Sequence, residues 1–140
     1  MKIDTYMHRL PLFFLILFSV LLSGAASAKD VKDVDPVSFQ KMEKSSLLIV
    51  DVRTPEEYAE GHVPGAVNIP LGTIQNDISM FEDKDKPILM YCRSGKRAGK
   101  ALDILQQNGF SDLYHLDGDM QGWIKADMPV AMPAKTQASQ

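Results

Sequence analysis

Residues 47–57 constrain the fold of this 140-residue chain more than any other segment. Residues 47–52 form a nearly continuous apolar run, which is typical of a strand buried on both faces, as in a parallel sheet. Thr54, Pro55 and Glu57 follow at once and supply the capping box and first-turn proline that begin a helix. A buried strand that leads directly into a helix indicates an α/β domain.

Short strands and helices alternate along the rest of the chain. Asp35 suits an N-cap and Pro36 the first helical position, so a helix is predicted from there to about Lys44. Further strands are predicted at residues 66–69, 88–91 and 113–116. Further helices are predicted at residues 73–81 and 120–125. Another helix is predicted after Cys92 and ends at Gly109, because one of its faces carries the apolar residues Ala98, Ala101, Leu102 and Leu105. This order predicts an α/β fold with a mainly parallel sheet.

The N-terminus has the order of a secretory signal peptide. Basic residues come first, an apolar run follows at residues 10–23, and small residues lie at 26–28. A membrane anchor is the competing interpretation, but a bilayer core needs about 20 apolar residues. We therefore expect residues 1–28 to be cleaved, residues 29–130 to form one periplasmic domain, and residues 131–140 to be a disordered tail.

Charge limits the partners of the expected mature domain. Without Lys2, Arg9 and Asp4, the 15 basic and 18 acidic side chains of the whole chain fall to 13 and 17, a net charge of −4. A mildly acidic domain is poorly suited to nucleic acid or to an anionic membrane surface. The length of the mature domain fits a single hydrophobic core. We expect the protein to be a monomer that does not bind nucleic acid and, after cleavage of the signal peptide, does not bind a membrane.

The chain contains one cysteine, Cys92, which cannot form a disulfide within its own fold. It begins a segment that we call the cysteine loop, residues 92–97, between a predicted strand and a predicted helix. The members of the loop are Cys92, Arg93, Ser94, Gly95, Lys96 and Arg97. Either the thiol is a small buried side chain, or it is retained for its reactivity.

The surroundings of Cys92 favour reactivity. Sites in open α/β sheets form beyond the carboxyl ends of the strands, and the N–H groups at a helix start favour a thiolate over a thiol. Three cations of the loop, Arg93, Lys96 and Arg97, lie where the helix dipole prefers anions. Gly95 lets the backbone turn inward as an anion nest. Lys100 is interpreted as part of a solvated helix face.

Residues outside the loop are given mostly structural roles. Asp51 and Arg53 follow a strand at the same expected sheet edge, and they either support the site or form a network in which Arg53 ties Glu57 to the turn at His62. His62 is not expected to act as a base. His115 and the core anchor Trp123 are interpreted as packing residues, as are the methionines, which lack metal-ligand spacing: Met80, Met90, Met120 and Met128.

Three motifs in order resemble the rhodanese family of sulfurtransferases. The first runs from Asp51, Val52 and Arg53 through Glu57 and Tyr58 to residues 61–70. The cysteine loop resembles the active-site loop of that family, and residues 118–123, with Gly122 and Trp123, resemble its closing segment. The resemblance covers roughly residues 35–130, nearly all of the expected mature chain.

The resemblance implies a central five-stranded parallel sheet with helices on both faces. It also implies a persulfide mechanism, in which Cys92 takes a sulfur from thiosulfate and passes it to cyanide or a thiol without a metal or organic cofactor. In that mechanism Arg93, Ser94, Gly95, Lys96 and Arg97 hold the small anionic donor. The loop copies neither the thiosulfate nor the mercaptopyruvate pattern in full, so the donor stays open.

Other functions are weighed against this one. Related phosphatases and arsenate reductases place five residues between cysteine and arginine, whereas four lie between Cys92 and Arg97, and the tighter loop favours a sulfur atom. The chain could instead be a persulfide or redox carrier for a thiol protein partner, or a non-catalytic binding module. A reactive cysteine in a cationic loop argues against the binding module.

Overall fold

The computed structural model describes residues 30–133. These residues form five strands: β1 (Lys32–Val34), β2 (Leu48–Asp51), β3 (Val67–Asn68), β4 (Ile88–Tyr91) and β5 (Leu113–Leu116). The same part of the chain forms five helices: α1 (Pro36–Lys41), α2 (Pro55–Ala59), α3 (Leu71–Asn76), α4 (Lys96–Gln107) and α5 (Asp119–Lys125). Their alternation confirms the predicted α/β fold.

The strands form one sheet in the order β1-β5-β4-β2-β3, and every pairing is parallel. β4 lies at the centre and all four of its residues are buried. Because the strands are parallel, their carboxyl ends meet at one edge, where β2 and β4 end side by side at Asp51 and Tyr91. The expected central five-stranded sheet is confirmed.

Helices cover both faces of the sheet. Alternate residues of β4 belong to different cores, since Met90 packs with α3 and α4 while Leu89 packs with α1 and α5. In the second core the Trp123 ring meets that of Phe39 edge to face, with centroids 5.7 Å apart. Trp123 is completely buried, which confirms it as a core anchor.

One strand was not predicted, and one helix differs clearly from its predicted bounds. β1 was not predicted, because its three residues are largely exposed and carry no apolar pattern. α3 begins at Leu71, directly after Pro70, and ends at Asn76 rather than at residue 81. It ends there because Asp77 is extended and its carboxylate accepts hydrogen bonds from the backbone and hydroxyl of Ser79, which competes with the helix.

Smaller shifts occur at α1 and β3. α1 ends at Lys41, three residues before the predicted end, because Met42 is extended and packs against the core beneath α1 and α5. β3 is limited to Val67–Asn68. Asn68 then bonds through its side-chain amide to the carbonyls of Asp51 and Arg53.

The C-terminal part of the described chain pairs with the turn at His62. Ala131, which the sequence analysis assigns to the tail, forms an antiparallel bridge with His62. The remaining tail residues 134–140 and the expected signal peptide lie outside the described residues. Within residues 30–133, no helix has the length and apolar character needed to cross a membrane.

Candidate functional site

The cysteine loop joins the end of β4 to the start of α4, at the carboxyl edge of the sheet. Gly95 is the N-cap of α4 and has a φ of 102°, in the left-handed region that glycine adopts without strain. This conformation turns its N–H inward, as the sequence predicts. The thiol of Cys92 accepts that N–H, with 3.1 Å between the nitrogen and Sγ.

Cys92 lies at the floor of the loop and is only 1% exposed. It packs in the core beneath α3 and α4, together with Ala98. Its own backbone N–H donates to Asp119 Oδ1 at 2.8 Å, and its carbonyl accepts the N–H of Met120 at 3.0 Å. Cys92 is therefore held from two sides: its sulfur by the loop that follows it, and its backbone by the start of α5.

The cations of the loop fall into two groups. Arg93 and Lys96 are exposed, as is Ser94, and within residues 30–133 neither cation forms an ion pair. Arg97 is half-buried and makes a two-pronged salt bridge with Glu57, at 2.6 and 2.9 Å. Arg93 and Lys96 are thus the free positive charges of the loop, and the charge of Arg97 is matched.

The salt bridge changes the titration of both partners. Hydrogen bonding to Arg97 lowers the pKa of Glu57 to about 2, although burial opposes the shift, and the backbone N–H of Thr54 adds to it. Hydrogen bonding to Glu57 raises the pKa of Arg97, and the nearby Cys92 side chain acts in the same direction. Both groups are therefore ionised at neutral pH. Glu57 is not predicted from the sequence as a site residue, because its place in the capping box already accounts for it.

Asp51 and Arg53 form a buried network beneath the loop edge. Arg53 Nη2 lies 2.7 Å from Asp51 Oδ2 and donates to the carbonyl of Gly61 at 2.7 Å. The hydroxyl of Tyr91 donates to Asp51 at 2.8 Å and accepts the N–H of Val63 at 3.0 Å. Arg53 does tie the turn near His62 to the sheet, as one interpretation of the sequence held, but its ionic partner is Asp51 rather than Glu57.

Burial governs the charges of this network. Asp51 is completely buried and Arg53 is 6% exposed. Burial raises the pKa of Tyr91 well above its usual range, and the neighbouring Asp51 adds to the effect. Burial also opposes ionisation of Arg53, but its hydrogen bonds to Asp51 prevail and raise the pKa of Arg53. The network thus consists of the Arg53–Asp51 ion pair and the neutral hydroxyl of Tyr91, which donates a hydrogen bond to Asp51.

The two described histidines have different surroundings. His62 stacks on the ring of Tyr58, with centroids 3.7 Å apart, and its Nδ1 lies 3.0 Å from the Tyr58 carbonyl oxygen. The prediction that His115 only packs is wrong, since its two ring nitrogens each lie 3.0 Å from a carboxylate oxygen, one of Asp33 and one of Asp119. No periodic pattern in the sequence indicates these three residues as a cluster, because they come from three separate elements, β1, β5 and α5.

A cavity of about 320 Å³ opens beside the cysteine loop. Charged and apolar side chains line it: Arg53, Glu57, Glu60, Arg93, Met120, Gln121 and Ile124. It offers room for a small ligand next to a free cation of the loop. Within residues 30–133, no group of three or more His, Cys, Asp or Glu side chains is placed to hold a metal ion.

Known proteins share this sequence and this arrangement of strands and helices. The family model described as rhodanese-like domain matches residues 37–126. A sulfurtransferase of Allochromatium vinosum is 33% identical over 101 residues, covering 72% of this chain and 94% of the relative. A thiosulfate:glutathione sulfurtransferase of Saccharomyces cerevisiae is 28% identical over 117 residues, covering 71% of this chain and 84% of the relative.

Among solved structures, a rhodanese-like domain protein from Staphylococcus aureus matches with a TM-score of 0.59 and 33% identity. The match covers 66% of this chain and 91% of that one. The family match spans well over half of the chain, and it includes the cysteine loop and the start of α5 that contacts it. The chain belongs to the rhodanese-like domain family.

Proposed function

We propose that the protein is a thiosulfate sulfurtransferase that carries sulfur as a persulfide on Cys92. The observation that carries the proposal is the placement of Cys92 Sγ, which accepts the Gly95 N–H at 3.1 Å beneath the exposed cations Arg93 and Lys96. Thiosulfate is a small dianion with a soft outer sulfur, so it matches both the positive loop and the thiolate. The names of the relatives from Allochromatium and Saccharomyces support the same class of reaction.

The reaction consists of two displacements. The Cys92 thiolate attacks the outer sulfur of thiosulfate, the new S–S bond forms, the old S–S bond breaks, and its electron pair leaves with sulfite. A nucleophilic acceptor then attacks the outer sulfur of the Cys92 persulfide. Cyanide leaves as thiocyanate, or a thiolate leaves as its own persulfide, and the Cys92 thiolate is regenerated. Charge and atoms balance in both steps without an oxidant.

The loop supplies electrostatic stabilisation rather than a proton carrier. The N–H of Gly95, at the start of α4, points at the sulfur and stabilises negative charge there. Arg93 and Lys96 hold the sulfonate end of the donor, and Ser94 lies exposed between them. The burial of Cys92 favours a donor that reaches the thiol with a single protruding sulfur atom.

The direct test combines turnover and mass. The purified protein is expected to gain the mass of one sulfur on treatment with thiosulfate, and to lose it when cyanide is added. A persulfide that forms but passes only to a protein thiol would indicate the carrier function instead. A protein that gains no sulfur from thiosulfate contradicts the proposed donor.

We also propose that the protein acts in the periplasm after cleavage behind Ala28. The support is the order of basic, apolar and small residues at the N-terminus. Recovery of the full-length chain from the cytoplasm, with Met1 or Lys2 as its first residue, would contradict the proposal.

Arg97 and Glu57 are expected to affect donor binding in opposite directions. Arg97→Ala removes a cation and leaves the Glu57 carboxylate unpaired beside the site, so we expect KM for thiosulfate to rise about tenfold, or about 1.4 kcal/mol. Glu57→Gln removes the anion and frees Arg97, so KM should fall. Steady-state kinetics with thiosulfate and cyanide measures both.

Lys100→Ala is the matched control, since Lys100 is an exposed cation on the following turn of α4. It is expected to change neither KM nor stability. The Arg97 pair is partly exposed, and such pairs contribute at most about 1 kcal/mol to folding. A large drop in melting temperature with an unchanged KM would make Arg97 a structural residue.

A further inference from the structure

Asp119 is a buried carboxylate directly behind the cysteine loop, and it is 2% exposed. Its Oδ1 accepts the N–H of Cys92 at 2.8 Å. The next two residues of α5 continue the contact, because the N–H groups of Met120 and Gln121 donate to the carbonyls of Cys92 and Arg93 at 3.0 and 3.2 Å. The start of α5 is thus bonded to both backbone groups of Cys92.

The backbone of Asp119 lies in a conformation that is uncommon for residues other than glycine. Its φ is 53°, in the left-handed region, which Asp and Asn adopt more often than other residues with a Cβ. The carboxylate also packs against the loop at a second point, since a Cβ built on Gly95 would lie 3.0 Å from Asp119 Oδ2. A strained position that retains a buried carboxylate indicates that the carboxylate has a role.

The second oxygen of Asp119 faces the ring of a histidine. His115 Nε2 lies 3.0 Å from Asp119 Oδ2, and His115 Nδ1 lies 3.0 Å from Asp33 Oδ1. An ionised carboxylate only accepts hydrogen bonds, so the ring donates to both carboxylates when both of its nitrogens carry protons. The groups that face the ring are Asp33 from β1, Asp119 from α5 and the backbone of Gly95, while the paired residue of β4 is the apolar Met90.

The titration of His115 agrees with this geometry. Hydrogen bonding to Asp119 raises the pKa of His115 above its ordinary value of 6.5, burial opposes the shift, and Asp33 adds to it. The ion pair is therefore complete below pH 6.5 and weakens as the pH rises through the raised pKa of His115. The side chain of Asp33 is 74% exposed, so the weaker link is the one to Asp33.

We propose that Asp119 and His115 are positioning residues of the cysteine loop: Asp119 fixes the backbone of Cys92, and protonated His115 cancels the charge that Asp119 brings close to the thiolate. Without the imidazolium, the buried carboxylate would oppose ionisation of the neighbouring thiol. The pair thus holds the backbone of the cysteine loop in place without disfavouring the thiolate form of Cys92. Its bearing on turnover rests on the function proposed above, whereas its effect on the thiol does not.

The electrostatic part is tested by alkylation of Cys92 with a small reagent across a pH range. H115Q keeps a donor for Asp119 but removes the positive charge, so the midpoint of the alkylation profile should move upward by about one unit. D119N keeps an oxygen for the Cys92 N–H and tolerates the left-handed conformation. The H115Q/D119N double variant should show no upward shift of the alkylation midpoint relative to D119N alone. An equal shift by H115Q in both backgrounds, or no shift at all, overturns the electrostatic part.

The anchoring part is tested by D119G. Glycine relieves the strained backbone, so the variant is expected to fold, but it leaves the Cys92 N–H without its acceptor. We expect the kcat for sulfur transfer to fall about tenfold with little change in KM, and D119N to recover most of the loss. A D119G variant with wild-type kcat and wild-type alkylation rate contradicts the anchor. Alkylation of Cys92 needs no sulfur donor, so it tests the roles of Asp119 and His115 even if the wild-type protein proves unable to use thiosulfate.

Discussion

Replacement of Cys92 with serine is expected to reduce sulfur transfer at least about a thousandfold, to the background of the assay. A hydroxyl is not ionised at neutral pH and is a poor nucleophile toward sulfur, so no persulfide can form. Serine is close to cysteine in size and can still accept the Gly95 N–H, so the loop should keep its shape. Turnover with thiosulfate and cyanide measures the loss, and intact mass shows whether any sulfur is gained.

Two comparisons make this result specific to the thiol. Wild-type protein alkylated at its single cysteine should lose activity as completely as the Cys92→Ser variant does. The melting temperature of the serine variant should stay within a few degrees of wild type, since one buried hydrogen bond is worth about 1 kcal/mol. Transfer that persists in the folded serine variant would falsify the assignment of Cys92 as the sulfur carrier.

Replacement of Arg53 with methionine is expected to lower the free energy of unfolding by about 3–5 kcal/mol, because it leaves one partner of a buried ion pair uncompensated. Asp51 would keep only the hydroxyl of Tyr91 and the backbone N–H of Arg53 as hydrogen-bond donors. The carbonyl of Gly61 would also lose its donor. Denaturant unfolding, compared with wild type at the same pH, measures the change.

The matched control is Arg93→Met, which makes the same substitution at an exposed arginine two residues from the end of β4. Its free energy of unfolding should change by no more than about 0.5 kcal/mol. Removing both charges of the pair, as Asp51→Asn with Arg53→Met, should recover part of the stability, since the buried anion is then gone. A loss below about 1 kcal/mol for Arg53→Met would show that the pair is not a structural tie.

The parts of the fold that sequence reasoning predicted are those with local causes. The strand at β2 and the helix at α2 follow from an apolar run and a capping box, and the structure contains both bonds of that box, between Thr54 and Glu57. The cysteine loop follows from a strand, a glycine and a helix in direct succession. Each of these patterns lies within a dozen residues and needs no knowledge of distant contacts.

The parts that sequence reasoning missed depend on contacts between distant segments. Glu57 and Arg97 are 40 residues apart, and the local role of Glu57 as a cap hides its second role in the site. Asp33 and His115 are 82 residues apart and meet only because β1, itself too short to predict, pairs with β5. The charge of a side chain alone could not identify these partners in the sequence, because the chain contains many other acidic residues.

The depth of Cys92 in the fold also decides which thiol chemistry is open to the protein. A disulfide between two copies would require their Cβ atoms to approach within about 4 Å, which the loop around a residue that is 1% exposed does not allow. In a persulfide the outer sulfur stands one S–S bond, about 2 Å, beyond Sγ on the side from which the donor came. In the proposed mechanism an acceptor thiol would therefore meet the sulfur that is to be transferred before it could reach Cys92 Sγ, which would disfavour a mixed disulfide with the protein.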